Sequence, residues 1–470
     1  MIAAPSSDKP LCVDLDGTLV RTDTCAESIL ALLARNPFLL FPMLAWLARG
    51  KAYFKARVAE RTSFNASLLP YSSELLEYLR SERARGRRLA LATASDESVA
   101  RQVEAHLHLF DEVIASNGDV NLAGSKKLEA LEARYGKGGF AYAGNARVDV
   151  PIWREADHAI LVNTRRSIQR KLERDRVRIA RVFPAPKSAL RGLIRALRPH
   201  QWAKNLLIFV PLVFGHKLGD IQRLKEAAVA FAAFCFCASS VYVLNDVLDI
   251  EADRKHHLKR TRPFAAGEIP VGAGLAAVPL LLGLSLAISG FSPYFTGYVA
   301  GYFVVTLGYS MFLKRLPIVD VLLLAGLYTL RIMAGGAATD VVISPWLLGF
   351  SMFLFLSLAL VKRYSELRAL GDARGYTASD LPQLSSFGTA SGYIAVLVLA
   401  LYINSADVRI LYSRPLLLWM VCPLLIYWIS RVWLLAHRGE LHDDPVLFAL
   451  KDKISYVTGL LVALVMLAAL

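Results

Sequence analysis

Hydrophobic positions are spread unevenly along the chain. From residue 198 to the end, nine apolar segments follow one another, at approximately 203–219, 226–244, 271–289, 294–312, 318–337, 345–361, 391–406, 414–436 and 454–470. Runs of this length predict membrane-spanning helices. Several are short or interrupted by Gly and Pro, so tilts and breaks are expected. Before residue 198 the pattern differs. Leu11, Cys12 and Val13 form a buried strand, and Arg88 to Ala92 form a second one. From Arg165 to Arg181 eight basic residues face two acids, with Ile168, Leu172, Val177 and Ile179 interspersed, which reads as a basic, lipid-facing linker. Pro184 and Pro186 break it, and Lys187 to Leu197 restarts as an amphipathic helix. Two domains are therefore expected, joined by a juxtamembrane linker over 166–197.

Composition agrees with this division. Hydrophobic residues make up 55% of the 470 positions, too many for one soluble domain, while the first part is too charged to be all membrane. The net charge of +15 does not point to nucleic acid, because basic patches interleaved with aromatics are absent and the basic residues flank apolar spans. A membrane surface and anionic substrates explain it better. The five cysteines, Cys12, Cys25, Cys235, Cys237 and Cys422, have no ligand-like spacing and read as small core residues. The connections after the second, fourth, sixth and eighth segments carry Lys and Arg, whereas those after the third and fifth carry none. With no secretory signal before the first charged residues, this bias places the N-terminus and the even-numbered connections inside. The expected location is a bacterial inner membrane, crossed many times, with the N-terminal domain on the cytoplasmic face.

The stretch Asn245 to Ile269 carries the most chemistry. It follows the apolar run Ala227 to Leu244, and on a continuing helix Asn245, Asp249 and Asp253 are i,i+4 neighbours on one face, with Asp246 beside them. Unpaired carboxylates this close would repel, whereas hard oxygen ligands around Mg²⁺ bridged to a polyphosphate would be held together. Lys259, Arg260 and Arg262 follow as donors suited to phosphate. An acidic cluster followed by a basic one at a membrane edge reads as a metal–diphosphate site. The alternative is a solvated loop of mixed charge.

Asn245-Asp246-x-x-Asp249-x-x-x-Asp253, with Tyr309-Ser310-x-x-Leu313-Lys314-Arg315 and Asp320, resembles the UbiA-type intramembrane prenyltransferases from about Arg198 to the C-terminus. Arg198-Pro199-x-Gln201-Trp202-x-Lys204-Asn205, Lys259-Arg260-x-Arg262-Pro263 and Lys362-Arg363-Tyr364-x-Glu366 look like the branch that makes polyprenyl-phosphoryl 5-phosphoribose. The resemblance implies an all-α membrane domain over 198–470 of about nine transmembrane helices. It further implies Mg²⁺ on Asp246, Asp249 and Asp253, aided by Asn245, neutralising the charge of a departing diphosphate. The aspartates alone do not choose between an allylic cation and a ribose oxocarbenium. The surplus of cations, Lys204, Lys259, Arg260, Arg262, Lys314, Arg315, Arg331, Lys362 and Arg363, favours phosphoribosyl diphosphate with a polyprenyl phosphate acceptor, since these bring more anionic groups than one diphosphate and a neutral ring. Lys259, Arg262, Lys314 and Lys362 are the foremost phosphate ligands, and Tyr309 and Asp320 are further candidates.

Near the N-terminus, Asp14-Leu15-Asp16-Gly17-Thr18 sets two carboxylates two residues apart at a strand end, pointing the same way. This motif resembles the haloacid-dehalogenase phosphatase superfamily over roughly residues 8 to 165. The resemblance implies an α/β Rossmann-like domain over 1–165, with Asp14 as nucleophile and Asp16 as general acid and base. Thr93 would hold phosphoryl oxygens, and Lys127 would neutralise the pentacoordinate phosphorus. Mg²⁺ would be held by Asp14, Asp16, Asn145 and Asp149. The family's usual carboxylate is an amide at Asn145, which supplies one neutral oxygen instead of a charged one.

Ile29 to Ala48 is apolar enough to imitate a transmembrane helix. A single crossing there would put Asp14 on the opposite side from Thr93, Lys127 and Asp149, and Arg35, Pro37 and Pro42 oppose a straight span. It reads instead as part of a helical cap, about residues 22–75. Leu39, Leu40, Phe41, Met43, Leu44 and Trp46 are then either free to enter the lipid interface or packed wholly on protein.

Taken together, the sequence predicts a bifunctional membrane enzyme, possible also as an oligomer: a polyprenyl-phosphate phosphoribosyltransferase followed by a 5-phosphatase. The competing readings are a prenyltransferase for an aromatic or quinone precursor, and a membrane anchor for an inactive phosphatase-like domain.

Overall fold

The structure is a computed structural model of the chain and describes residues 9–62, 64–185, 189–372, 374–441 and 444–470. The chain divides into two compact units, Met1–Leu197 with Tyr242–Val278, and Arg198–Val241 with Pro279–Leu470.

The first unit is built on six strands: β1 (Leu11–Val13), β2 (Leu89–Asp96), β3 (Glu112–Ser116), β4 (Ala141–Gly144), β5 (Ala159–Val162) and β6 (Ile179–Phe183). All neighbours pair in parallel, in the order β3-β2-β1-β4-β5-β6. A parallel sheet needs crossovers, and helices cover both faces, so alternate strand residues enter two separate cores. Leu11, Val13, Leu89, Leu91, Ala141 and Ala143 face one, and Cys12, Ala90, Ala92 and Tyr142 the other. The strand order reverses at β1, whose neighbours β2 and β4 lie on opposite sides. A crevice opens at the carboxyl ends of strands at such a switch point, which is where Asp14 follows β1.

Three helices, α1 (Thr24–Arg35), α2 (Leu40–Ala48) and α3 (Lys51–Arg61), form a cap between β1 and α4 (Ser73–Ala84). Asn36, extended at φ −148°, ends α1, and its side chain accepts the N–H of Phe38, so the apolar run becomes two short helices. Met43 is buried with Leu32 and Val58 in a small cap core, so it points inward rather than toward lipid; Leu39 and Trp46 pack on that core. The remaining helices of the sheet layers are α5 (Glu97–Leu107), α6 (Ser125–Tyr135), α7 (Val150–Glu155) and α8 (Arg166–Arg174).

The stretch expected as a linker belongs to this unit. Leu172 of α8 is fully buried, and β6 forms the sheet edge against β5. Most of the charges that suggested a lipid-facing linker lie on α8, which holds Arg166, Arg170, Lys171 and Arg174, while β6 carries Arg181. Arg181 packs its guanidinium over the Tyr78 ring at 4.7 Å. The amphipathic helix is described as α9 (Ala189–Leu197), while Pro186 and Lys187 fall outside the described residues.

Residues 242–278 complete the unit. Arg254 donates to Ala265 O at 2.9 Å and makes a bidentate pair with Glu27 of α1, at 2.7 and 2.6 Å, both side chains largely buried. Breaking such a pair strands a buried guanidinium. Glu27→Ala is therefore expected to destabilise this unit by about 3–5 kcal/mol, with most of the loss recovered in Glu27→Ala/Arg254→Met. Denaturant unfolding of the purified protein checks this, and a cost below about 1 kcal/mol, the level of an exposed pair, would contradict it.

The second unit is helical. Its chain begins in a 3-10 segment, Pro199–Phe209, and a short α10 (Val210–Phe214), followed by α11 (Ile221–Leu248). After α12 (Ile250–Lys255) come α13 (Val271–Ser289), α14 (Pro293–Met311), α15 (Val319–Thr339), α16 (Pro345–Leu370), α17 (Leu381–Ile403), α18 (Ala406–Leu411), α19 (Val421–Arg438), α20 (Pro445–Ala449) and α21 (Lys453–Ala469). Among the described residues six helices are long and apolar enough to cross a membrane, not nine. The segment at 203–219 does not form a long helix, because Pro211 and Gly215 interrupt it and Lys204 and Asn205 sit inside its first turns. α14 carries Tyr294, Thr296, Tyr298, Tyr302, Thr306 and Tyr309, and α21 has only 17 residues. Helices approach closely through small residues. At Gly388 of α17 an added Cβ would lie 1.9 Å from the Trp433 ring of α19, and Trp433 Nε1 donates to Ser357 Oγ of α16 at 3.1 Å.

Candidate active sites

The carboxyl end of β1 delivers Asp14 into a buried polar cluster. Lys127, on the first turn of α6, donates to Asp14 Oδ1 at 2.7 Å and to Tyr142 Oη at 3.0 Å. Tyr142 in turn donates to Asp149 Oδ1 at 3.1 Å, and Asp149 Oδ2 accepts the backbone N–H groups of Asn145 and Ala146 at 3.1 and 3.0 Å. Four side chains from three elements and the loop after β4 thus form one chain of hydrogen bonds. The close approach depends on two glycines. A Cβ on Gly144 would stand 2.8 Å from Asp149 Oδ2, and one on Gly17, at φ +74°, would meet Asn145 Nδ2 at 2.0 Å.

Asp16 is placed differently. Its Oδ1 accepts the Thr24 N–H at 2.8 Å, where the cap begins, and its Oδ2 accepts from the Ser95 hydroxyl. Burial, with Asp23 nearby, pushes its carboxyl up to about 7. Burial and the Asp14 charge likewise push Asp149 up to about 6. Thr93 is fully buried and its hydroxyl accepts the Ser95 N–H at 3.0 Å. Asp14, Asp149 and Asn145 offer hard oxygens, the donor chemistry that Mg²⁺ takes. Among the described residues no group of three or more His, Cys, Asp or Glu side chains is gathered as a metal site, so the set rests on two carboxylates and an amide.

The acidic motif is bent rather than a straight helical face. α11 ends at Leu248, Asp249 sits at the break, and α12 restarts at Ile250, although Asp249 and Asp253 still donate backbone N–H bonds to Asn245 O and Asp249 O at 2.9 and 2.8 Å. Asp246 and Asp253 are buried, Asn245 and Asp249 half-buried. Arg262 closes the two buried carboxylates: its Nη1 lies 3.2 Å from Asp246 Oδ1 and 2.7 Å from Asp253 Oδ2. The residue expected as a phosphate donor is here the cation between the acids. Among the described residues the three aspartates are not gathered as one group, and what Arg262 draws together is two carboxylates, oxygen donors of the kind a divalent cation takes. Lys259 opens the 3-10 turn Lys259–Thr261 and Arg260 is exposed beside it.

In the helical unit the expected residues fall into separate places. Lys204 and Lys362 both reach Asp444 Oδ2, at 2.8 and 3.1 Å, and Tyr328 donates to the same carboxylate at 3.3 Å. Burial alone would raise the Asp444 carboxyl, but the two lysines outweigh it and hold it below the usual carboxylate range. Asp320 is fully buried and paired with Arg363, and accepts from Tyr376 Oη at 2.6 Å, which marks it as a packing partner rather than an open ligand. Tyr309 accepts from Arg374 at 3.1 Å, and Lys314 lies half-buried in a 3-10 turn. Arg331, buried, donates to Asn205 Oδ1 and Tyr302 Oη, both at 2.9 Å.

Residues 207–464, more than half of the chain, match the UbiA prenyltransferase family model. The chain belongs to the UbiA prenyltransferase family. Residues 11–154 match the haloacid dehalogenase-like hydrolase model, so this UbiA-family chain carries a hydrolase-like domain ahead of its membrane domain, and it is a multi-pass membrane protein. It is 37% identical over 464 residues to the uncharacterized protein y4nM of Sinorhizobium fredii, covering 97% of this chain and 90% of that one. It is 41% identical over 189 residues to the decaprenyl-phosphate phosphoribosyltransferase of Corynebacterium glutamicum, covering 39% of this chain and 56% of that protein. Among solved structures it is similar to a UbiA homolog from Archaeoglobus fulgidus bound to GPP and Mg²⁺, with a TM-score of 0.46 and 19% identity over 58% of this chain and 98% of that one.

Three participants in this UbiA-family chain escaped sequence reasoning. Tyr142, which links Lys127 to Asp149, stands three residues before Asn145 and was assigned no role. Ser95 follows Thr93 in the same strand end. Asp444 belongs to no motif, and only its place before Pro445, at the start of α20, sets it apart.

Proposed function

We propose that the chain transfers 5-phosphoribose from phosphoribosyl diphosphate to a polyprenyl phosphate and then removes the 5-phosphate, both on the cytoplasmic side of a bacterial inner membrane. The observation that carries this reading is the buried Asp14–Lys127–Tyr142–Asp149 cluster in a chain whose membrane part is similar to a decaprenyl-phosphate phosphoribosyltransferase. Lipid-linked ribose 5-phosphate made by one site is a phosphomonoester for the other, and tethering both to one membrane raises its effective concentration.

In the hydrolytic step an Asp14 carboxylate oxygen attacks phosphorus, the P–O bond to ribose breaks, and an aspartyl-phosphate forms. Asp16, pushed up to about 7 by burial with Asp23 beside it, keeps a substantial protonated fraction at neutral pH, and that form donates its proton to the departing ribose oxygen. It then takes a proton from the water that cleaves the aspartyl-phosphate. Lys127 places its ammonium against the charge that grows on phosphorus, and Tyr142 holds Lys127 in line. Mg²⁺ bound at Asp14, Asp149 and Asn145 would add charge neutralisation at the phosphoryl oxygens.

In the transfer step Asp246, Asp249 and Asp253, with Asn245, would hold Mg²⁺, which neutralises the diphosphate leaving group when bound. Lys259 and Arg260, in the same unit as these acids, meet its phosphates, while Arg262 bridges Asp246 and Asp253. Release of inorganic phosphate that requires phosphoribosyl diphosphate and polyprenyl phosphate together tests the coupled reading. Release from phosphoribosyl diphosphate alone would count against it.

Arg262 offers a check that does not depend on turnover. Arg262→Gln leaves Asp246 and Asp253 buried without their shared cation, at a cost of about 2–3 kcal/mol, the low side for a broken buried pair because Arg262 is partly exposed. Millimolar Mg²⁺ is expected to raise the melting temperature of this variant more than that of the parent, since a divalent cation satisfies the same carboxylates. An equal response in both proteins would contradict the assignment.

A further inference from the structure

The cap leaves one face of α2, together with the 3-10 turn Pro37–Leu39 that leads into it, exposed. Phe38 is 74% exposed, Phe41 69% and Leu44 59%, and Leu40 and Leu47 are also exposed. The small cap core is already filled from the other side by Met43 with Leu32 and Val58, so the outward residues are not needed to hold α2 in place. Charge along this stretch is mostly positive, with Glu60 of α3 paired to Arg57 and Arg61. Between Glu27 and Glu60 the sequence holds Arg35, Arg49, Lys51, Lys55 and Arg57 and no acid. Arg35, Arg49 and Lys51 lie exposed at the two ends of the apolar run, and Arg61 covers the Trp46 ring at 4.6 Å.

An uncharged helix of bulky apolar residues rimmed by arginine and lysine is the pattern of an interfacial anchor, in which the rings and aliphatic groups enter the headgroup boundary and the cations meet anionic lipid. We propose that α2 is such an anchor, docking the cap of the hydrolase-like domain on an anionic phospholipid surface through Phe38, Phe41 and Leu44. The inference goes beyond the reading above and stands whichever phosphate the cleft hydrolyses. Its consequence follows from where the cap is attached. The Thr24 N–H at the start of α1 donates to Asp16 Oδ1, Thr24 and Ser95 hydroxyls lie 3.1 Å apart, and Lys55 of α3 donates to Ala94 O at 2.6 Å. The cap is therefore a wall of the Asp16 cleft, and seating it on lipid sets that cleft at the level where a lipid-borne phosphate is carried.

The test uses the full chain in nanodiscs. In a background with Cys12, Cys25, Cys235, Cys237 and Cys422 replaced by alanine, a nitroxide at Phe41→Cys is compared with one at Gln102→Cys on exposed α5. The anchor requires the label at 41 to be more accessible to oxygen than to a water-soluble nickel chelate, increasingly so as phosphatidylglycerol replaces phosphatidylcholine, with the opposite preference at 102. A label at 41 that meets the nickel chelate as freely as the one at 102, or that is shielded from both because the rest of the chain or a second copy covers it, overturns the proposal. A kinetic measurement with native cysteines stands beside it. Phe38→Ser/Phe41→Ser/Leu44→Ser should hydrolyse p-nitrophenyl phosphate at the parent rate but lipid-linked 5-phosphoribose in phosphatidylglycerol vesicles about tenfold more slowly. Equal loss on both substrates, or loss on neither, overturns it. If neither protein hydrolyses the lipid while the label at 41 is immersed, the anchor stands and the assigned reaction falls.

Discussion

Asp14→Asn is expected to build up phosphorylated lipid-ribose in membranes that still make it, with release of the 5-phosphate slowed by a factor on the order of 10⁴ or more. The amide is isosteric but a poor nucleophile, and no neighbouring group can take its place. Lys127 and Tyr142 are donors or hydroxyls already committed to the cluster, and Asp149 turns both its oxygens to Tyr142 and to backbone N–H groups. Chromatography of lipid extracts with mass detection reads the result. An unchanged ratio of phosphorylated to dephosphorylated product would remove the hydrolytic role from this domain.

Asp249→Ala carries the second large effect, and it acts one step earlier. Transfer into lipid should fall on the order of 10³-fold, the size of loss that follows removal of one group stabilising charge in a transition state. Asp249 is a better choice than its neighbours because it is only half-buried at the helix break, whereas Asp246 and Asp253 are buried. The variant should retain the parent melting temperature and hydrolyse p-nitrophenyl phosphate normally. Incorporation of ribose label into lipid at the parent rate would show that the acidic motif is not the transfer site.

How far the sequence alone carried can be judged from particular stretches. The strand before Asp14 and the strand carrying Thr93 were legible because continuous apolar runs give way to polar residues, the mark of a strand buried on both faces, although the second runs on to Asp96. Helices over 221–248, 319–339 and 345–370 were legible because their apolar runs far exceed the length of a buried core helix. The stretch 166–197 was not, since a heavily charged helix, an edge strand and an amphipathic helix present the same composition as a basic tether until Leu172 and Phe183 are seen buried. The count of about nine spans is not confirmed: six helices among the described residues are long and apolar enough, because tyrosine and glycine dilute α14 and proline splits 203–219. Helical periodicity gathered Asn245, Asp249 and Asp253, but it could not show the break at Asp249 or that Arg262, nine residues after Asp253, folds back to serve two of the acids. Lys204, Lys362 and Asp444 are separated by up to 240 positions, and pairing at that distance is decided by packing, which no local pattern encodes.

The central claim is that one chain both makes and dephosphorylates a lipid-linked phosphoribose. Purified protein in proteoliposomes, given polyprenyl phosphate and phosphoribosyl diphosphate labelled separately in the ribose carbons and in the 5-phosphate, tests it most directly. Both labels should enter the lipid together, after which the phosphate label alone should leave as inorganic phosphate while the ribose label stays. Ribose label that never reaches the lipid, or a phosphate label that remains there in parallel with it, would contradict the account.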